Sequence, residues 1–158
     1  MSRPIWSTPW QPGPEAVPTG GSDPVTVNIT EFTAHRPLDA AKVFVAGVML
    51  RRSWPRTDGA LGMWLWMEAG SLRPRSGSVS LWRDRDHLQG FVVRPDHLRI
   101  VRAFRGKGEL RSATWSAAAS PPDAVWEAVQ RILTGQDPWP QGPGASGEPA
   151  GPASPAES

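Results

Sequence analysis

Over residues 25–33, Val25, Val27 and Ile29 alternate with Thr26, Asn28 and Thr30, a period of two in largely β-branched residues that predicts a half-buried strand. The period then changes. From Pro37 onward, Leu38, Ala41, Val45, Val48 and Met49 recur at spacings of three and four, which predicts a helix opening on Pro37 and stopping near Trp54, ahead of Pro55. Residues 59–67 (GALGMWLWM) are apolar on both faces of a predicted strand, and 77–82 (GSVSLW) form a shorter one. The linker between them is too short for a crossover, so the two should pair as an antiparallel hairpin. Asp84 supplies an N-cap for a second helical stretch, which Pro95 divides into 85–94 and 95–104. A fourth strand is expected at 109–117 (ELRSATWSA), after the turn RGKG. Ser120, Pro121 and Asp123 then announce a last helix whose apolar face is Val125, Val129, Ile132 and Leu133, ended by Gly135.

The order strand, helix, strand, strand, helix, strand is that of a ferredoxin-like β-α-β-β-α-β unit of the α+β class, extended by one C-terminal helix. It implies one antiparallel sheet with both long helices on one face. The flanks, residues 1–24 and 135–158, are dominated by Pro, Gly, Ser and Ala and are expected to be disordered tails around a domain at 25–134. Trp6, Trp10 and Trp139 stand out in these tails and are expected to pack loosely on the domain. A sheet with apolar side chains on its second face leaves a patch that a second subunit would cover, so a homodimer is expected.

Composition narrows the chemistry. Cysteine is absent, which removes disulfides, thiolate catalysis and Cys-type metal centres. Tyrosine is absent too, so nine tryptophans carry most of the aromatic area. Residues 25–134 hold 16 Lys and Arg against 10 Asp and Glu, which makes the domain basic although the chain as a whole is only +2. No Walker A, G-x-S-x-G or G-x-G-x-x-G pattern occurs, and no His or carboxylate spacing suggests a protein-built metal site. The N-terminus lacks the apolar run of a secretory signal, and the longest apolar stretch, 43–50, is far too short to span a bilayer. The expectation is a soluble cytoplasmic protein. Nucleic-acid binding ranks low, because the arginines of the second helical stretch have no aromatic platform interleaved with them.

The most informative stretch is 97–104, where His97, Ile100, Val101 and Phe104 fall on one helical face. A histidine on an apolar stripe is either aimed into a cleft, as a base, a ligand contact or a haem ligand, or is a core histidine satisfied by a backbone carbonyl. Both readings stand at this level. Arg102 lies beside the stripe, with Arg94 and Arg105. Asn28 shares a strand face with Thr26 and Thr30, a polar row that is either solvated or the wall of a polar pocket. Trp66, Trp82 and Trp115 gather near strand ends, where they could line a ligand pocket or fill a core.

The run Ser78-Val-Ser-Leu-Trp82-Arg-Asp, followed by Leu88, Phe91, Pro95-Asp-His97 and Trp115, resembles the second half of the antibiotic biosynthesis monooxygenase-like family, and is also similar to spheroidene monooxygenase. The resemblance implies a dimeric α+β barrel, two sheets packed together, with a pocket between each sheet and its own helices. It implies a monooxygenase-like enzyme acting on a bulky apolar or aromatic small molecule, with no cofactor or with haem, or else a non-catalytic dimeric ligand-binding or complex-stabilising module. Carried over by position, Trp82 and His97 match the family's motif, and Asn28 sits where a polar first-strand residue lines the pocket; His97 and Asn28 are then the expected catalytic pair, and Trp66, Trp82, Phe91 and Arg102 are expected against the ligand. The lack of Tyr departs from members that use one.

Overall fold

The computed structural model describes residues 3–15, 24–68, 70–118 and 121–140. Four long strands, β3 (Val25–Ala34), β4 (Ala60–Glu68), β5 (Arg75–Trp82) and β6 (Gly108–Ala117), stand in the order β4-β5-β3-β6 with every neighbouring pair antiparallel. This is the ferredoxin-like sheet the alternation implied. Helix α1 (Pro37–Arg51) links β3 to β4, with Pro37 in its first turn, Asp39 at its positive end and Arg51 at its negative end. A 3-10 turn over Trp54–Arg56 follows. Between β5 and β6 the chain forms two helices rather than one kinked one, α2 (Arg85–Val92) and α3 (Pro95–Phe104). Arg94 is extended and Pro95 has no N–H to donate, so α3 starts afresh.

Alternation along the strands sorts the core into two layers. Asn28, Met63, Leu65, Ser78, Ser80 and Trp82 face α1, α2 and α3, while Val27, Ile29, Trp64, Trp66, Val79 and Leu81 face the other way. Both long helical stretches therefore share a face, as expected. The added helix α4 (Pro122–Leu133) does not join them: Val125, Val129 and Leu133 pack on the opposite face of the sheet. Its start has Pro121 as N-cap with no side-chain bond, and Ser120, the expected cap, lies outside the described residues.

Two expectations change as a result. The apolar sheet face reserved for a second subunit is covered within one chain, with Val27, Ile29, Trp66, Val79 and Leu81 all at 0% exposure. The premise for a dimer through that face is gone. The N-terminal segment is also not wholly a tail, because β1 (Ile5–Ser7) and β2 (Gln11–Pro12) pair antiparallel with β4, Ile5 opposite Glu68 and Gln11 opposite Met63. They close an edge that would otherwise expose unpaired backbone groups. Trp10 lies against Trp64 at 4.5 Å between ring centres, over Gly62, where a Cβ would stand 1.9 Å from the indole. Trp139 also docks, 3.8 Å under the Arg111 guanidinium, whereas Trp6 is 63% exposed.

Candidate active site

A cavity of about 80 Å³ lies between the sheet and α1, α2 and α3. Its floor is Asn28, Ser78 and Ser80, from the polar row that strand alternation put on this face, in which Asn28 on β3 stands opposite Ser80 on β5 and Thr114 on β6, and Thr30 opposite Ser78. The walls are apolar, supplied by Leu50, Trp54, Met63, Leu65, Leu88 and Phe91. His97, on the first turn of α3, closes it from above. Of the two readings of Asn28, the wall of a pocket is the one the fold adopts.

Hydrogen bonding orients both polar residues. Asn28 Nδ2 donates to the Ala113 carbonyl at 3.3 Å and to Thr114 Oγ1 at 2.9 Å. A carbonyl can only accept, so the amide nitrogen must face β6 and the amide oxygen is left to accept from elsewhere. His97 Nδ1 lies 3.0 Å from the Val92 carbonyl. The same reasoning puts a proton on Nδ1, so in the neutral form of the ring Nε2 is the acceptor. The ring packs on Phe91 at 5.0 Å, and His97 lines both the inner cavity and a second, outer groove of about 340 Å³ between α3 and the β3-β6 edge. That groove is bounded by Phe32, Val43, Val101, Phe104 and Leu110. His97 thus both lines the cavity and bonds a backbone carbonyl, the two positions that the sequence left open.

The other expected site residues divide. Phe91 is in the cavity wall. Trp82 is fully buried one layer behind it, edge-on to Trp54 at 4.9 Å, with its Nε1 donating to Ser80 Oγ at 2.9 Å. It therefore orients a cavity-floor hydroxyl without facing the cavity itself. Trp66 points to the opposite face, packs under α4 and donates to the Thr30 carbonyl at 3.2 Å, so it is not part of this site. Arg102 faces outward on α3 and is exposed. It does not lie beside the stripe: at 100° per residue it stands about 150° from the centre of His97, Ile100, Val101 and Phe104, on the far side of the helix.

Two residues that the sequence did not single out for the site matter here. Trp54 fills the wall, wedged against Trp82 and Phe91, with an indole N–H that has no oxygen partner. Arg94 bridges the junction of α2 and α3: it donates to both oxygens of Asp96, to Thr57 Oγ1 at 3.1 Å and to Ser53 Oγ at 3.3 Å. Asp96 in turn accepts from the His97 backbone N–H at 2.9 Å. Arg94 is thus a positioning residue, which ties the start of α3, and His97 with it, to the end of α1. The sequence placed it near His97 only as one of three arginines, and the Arg-Pro-Asp run at the helix break was the further sign of this role.

Partial burial pushes the Asp96 carboxyl up, but the Arg94 hydrogen bond and the His97 backbone N–H outweigh it, and the net position is below the usual carboxylate range. A carboxyl held low in the folded state stabilises above its unfolded pKa, and that stability is lost as pH falls through the lower, folded value. Replacing Arg94 with Ala removes the interaction. The expected cost is about 1–2 kcal/mol from the lost charge-assisted bonds, together with a weaker dependence of stability on pH at the acid end. Thermal melts of both proteins from pH 2 to 7 check this.

Asp84 caps α2 by accepting from the His87 backbone N–H at 2.9 Å and from the His87 ring at 2.6 Å, which hold its carboxyl below the usual range. His35, by contrast, is exposed beside Arg73. Among the described residues, no cluster of three His, Cys, Asp or Glu could hold a metal ion, and no helix is long and apolar enough to cross a membrane.

No family model matches the sequence. Solved structures share its fold. A variant of SnoaB, a cofactor-independent oxygenase from Streptomyces nogalater, superposes with a TM-score of 0.51 at 20% identity, over 63% of this chain and 98% of that one. A protein from Deinococcus radiodurans assigned to the antibiotic biosynthesis monooxygenases gives 0.54 at 12% identity, over 61% and 95%. The heme-degrading enzyme of Listeria monocytogenes is a more distant match, 0.43 at 13% identity, over 54% and 59%. The chain therefore shares the ferredoxin-like α+β fold of the first two of these structures.

Proposed function

We propose that this protein is a monooxygenase-like enzyme that takes an apolar aromatic small molecule into the cavity under His97 and oxidises it without a cofactor. One observation carries the reading: two polar side chains anchored by backbone carbonyls, Asn28 through Nδ2 and His97 through Nδ1, line one largely apolar cavity between the sheet and three helices. That placement suits an aromatic bearing a hydroxyl. His97 Nε2 accepts the hydroxyl proton, Asn28 orients the ring, and the electron-rich anion becomes the reductant of dioxygen. The apolar wall keeps water from the anion.

Size limits the ligand. Sites for drug-sized molecules run to about 300–1,000 Å³, so an inner cavity of about 80 Å³ admits no more than one end of such a molecule. A bulky ligand would place its reacting ring beside Asn28 and its remainder in the outer groove, with His97 between the two. Haem fits less well. His97 Nε2 would be its nitrogen ligand, but the cavity beside Asn28 has no room for a macrocycle, so no step here runs through haem. The small cavity favours the rival reading, a non-catalytic binding module, to the same degree. A second copy, if one binds, would have to meet a surface other than the sheet face under α4.

The experiment is a titration with a polycyclic aromatic phenol, read by quenching of tryptophan fluorescence and by oxygen uptake, on the wild type and on His97→Ala. The expected result is oxygen uptake by the wild type only, binding weakened tenfold or more in the variant, and a melting temperature within a few degrees of the wild type. Binding without oxygen uptake by either protein selects the non-catalytic module. A destabilised variant that binds as well as the wild type would sink the assignment of His97. A Soret band on addition of hemin, lost in His97→Ala, would select haem.

A further inference from the structure

Helices α1 and α3 pack side by side on the sheet and leave an outer surface of unusual composition. On α1 the exposed positions are Leu38, Ala41, Lys42, Val45, Met49 and Arg52. At 100° per residue Leu38, Val45 and Met49 form one stripe, flanked by Lys42 on one side and Arg52 on the other. Leu38 is 65% exposed, Val45 60% and Met49 55%. Large apolar side chains do not usually line up in water on a helix that already buries its other face. On the neighbouring α3, Arg99 and Arg102 point outward, and Arg105 follows at the mouth of the outer groove. None of these five cations is paired with a carboxylate among the described residues, while the acids of the two helices are elsewhere engaged or half-buried: Asp96 with Arg94, Asp39 in the first turn of α1.

We infer that this α1-α3 surface docks on an anionic lipid bilayer. Cations around a row of long aliphatic side chains match a charged headgroup layer with acyl chains beneath it. A second copy of the chain is disfavoured, because it would oppose like charges. A nucleic acid would meet no exposed aromatic to stack on in this surface, and would leave the apolar stripe wet. The outer groove, with Leu110 59% exposed at its rim, opens at the end of α3 beside Arg105. Docking on this side would set the groove against the membrane, so an apolar ligand could pass between the two without crossing water. The inference stands whether or not the inner cavity is catalytic.

The test is co-sedimentation of the full chain with vesicles of phosphatidylcholine alone and of phosphatidylcholine with about one third phosphatidylserine. Binding to the anionic vesicles only is expected, falling severalfold or more as the Debye length drops from about 10 Å at 0.1 M salt to about 3 Å at 1 M. Arg99→Glu/Arg102→Glu should lose binding at every salt concentration. Val45→Ser/Met49→Ser should weaken vesicle binding about tenfold and leave retention on heparin unchanged, since it removes apolar contact and keeps every charge. All four positions are exposed, and unchanged melting temperatures confirm that the fold is kept. No binding to anionic vesicles at low salt would overturn the inference. So would equal binding to neutral vesicles, or vesicle binding indifferent to Val45→Ser/Met49→Ser, which would describe a plain polyanion surface. Tighter binding to a duplex or single-stranded oligonucleotide than to vesicles would replace the lipid with nucleic acid.

Discussion

Replacing Glu31 with Ala should cost about 3 kcal/mol of stability and lower the melting temperature by roughly 10 °C, the largest effect expected of any single carboxylate in the chain. Glu31 is 6% exposed and stands on the α4 side of β3, an apolar layer in which an unpaired charge is costly. Its two oxygens are taken by Arg75 at 3.0 Å and by Arg111 at 3.0 and 3.2 Å. Arg75 then reaches Glu68 and donates to the Leu133 carbonyl at 2.9 Å, the last residue of α4. Burial pushes the Arg75 guanidinium down, but its two carboxylates more than reverse that and hold it above its ordinary value. The network therefore ties the C-terminal end of α4 to all four long strands. Removing one partner of a buried pair costs about 3–5 kcal/mol. The lower end applies because Arg75 keeps Glu68 and Arg111 is half-exposed. Denaturant melts of Glu31→Ala, Arg75→Ala and the double variant measure the coupling. A loss below about 1 kcal/mol in Glu31→Ala would show that the network is solvated.

Much of this architecture was written in the chain's periodicity. The alternation in 25–33 specified which face Asn28 would share with Thr30, and register with β5 then placed both beside Ser78 and Ser80. The i, i+3, i+4, i+7 stripe specified that His97 would turn inward, and Pro95 specified a break. Other parts depend on interactions that no local pattern encodes. Trp66 and Trp82 look alike in sequence, both near strand ends. Alternation sets Trp64 and Trp66 against Met63 and Leu65, but only the strand register, Trp66 opposite Gly77 and Trp82 opposite Thr26, shows that Trp66 turns toward α4 and Trp82 toward the other helices. The pairing of 5–7 and 11–12 with β4 was hidden by Pro and Ser, because a short edge strand is held by its neighbour's backbone and by Trp10 rather than by its own propensity. The face chosen by α4 was likewise invisible, since its apolar stripe would serve against either side of the sheet.

That choice sets the second expected result. Ending the chain before Pro122 should leave a domain that either aggregates or pairs through its sheet. Val125, Val129 and Leu133 are all buried against Val27, Ile29, Trp64, Trp66, Val79 and Leu81. Each buried aliphatic contributes about 1.5–3 kcal/mol, so loss of the helix takes most of a stability that is about 5–15 kcal/mol for a domain of this kind. The uncovered face would be broad, flat and rich in Val and Trp, which is the surface a second sheet would cover. Light scattering and thermal melts of the full chain and the shortened one, over micromolar concentrations, make the comparison. The expected outcome is that the full chain's mass does not depend on this face: substituting Val27 or Val79 with Asp lowers its stability without splitting a dimer. The shortened chain should be insoluble or should double in mass. A shortened chain that stayed monomeric and melted within a few degrees of the full one would show that α4 is not what covers the sheet. In the expected case, α4 takes within one chain the place that sheet-to-sheet pairing would give to a second subunit.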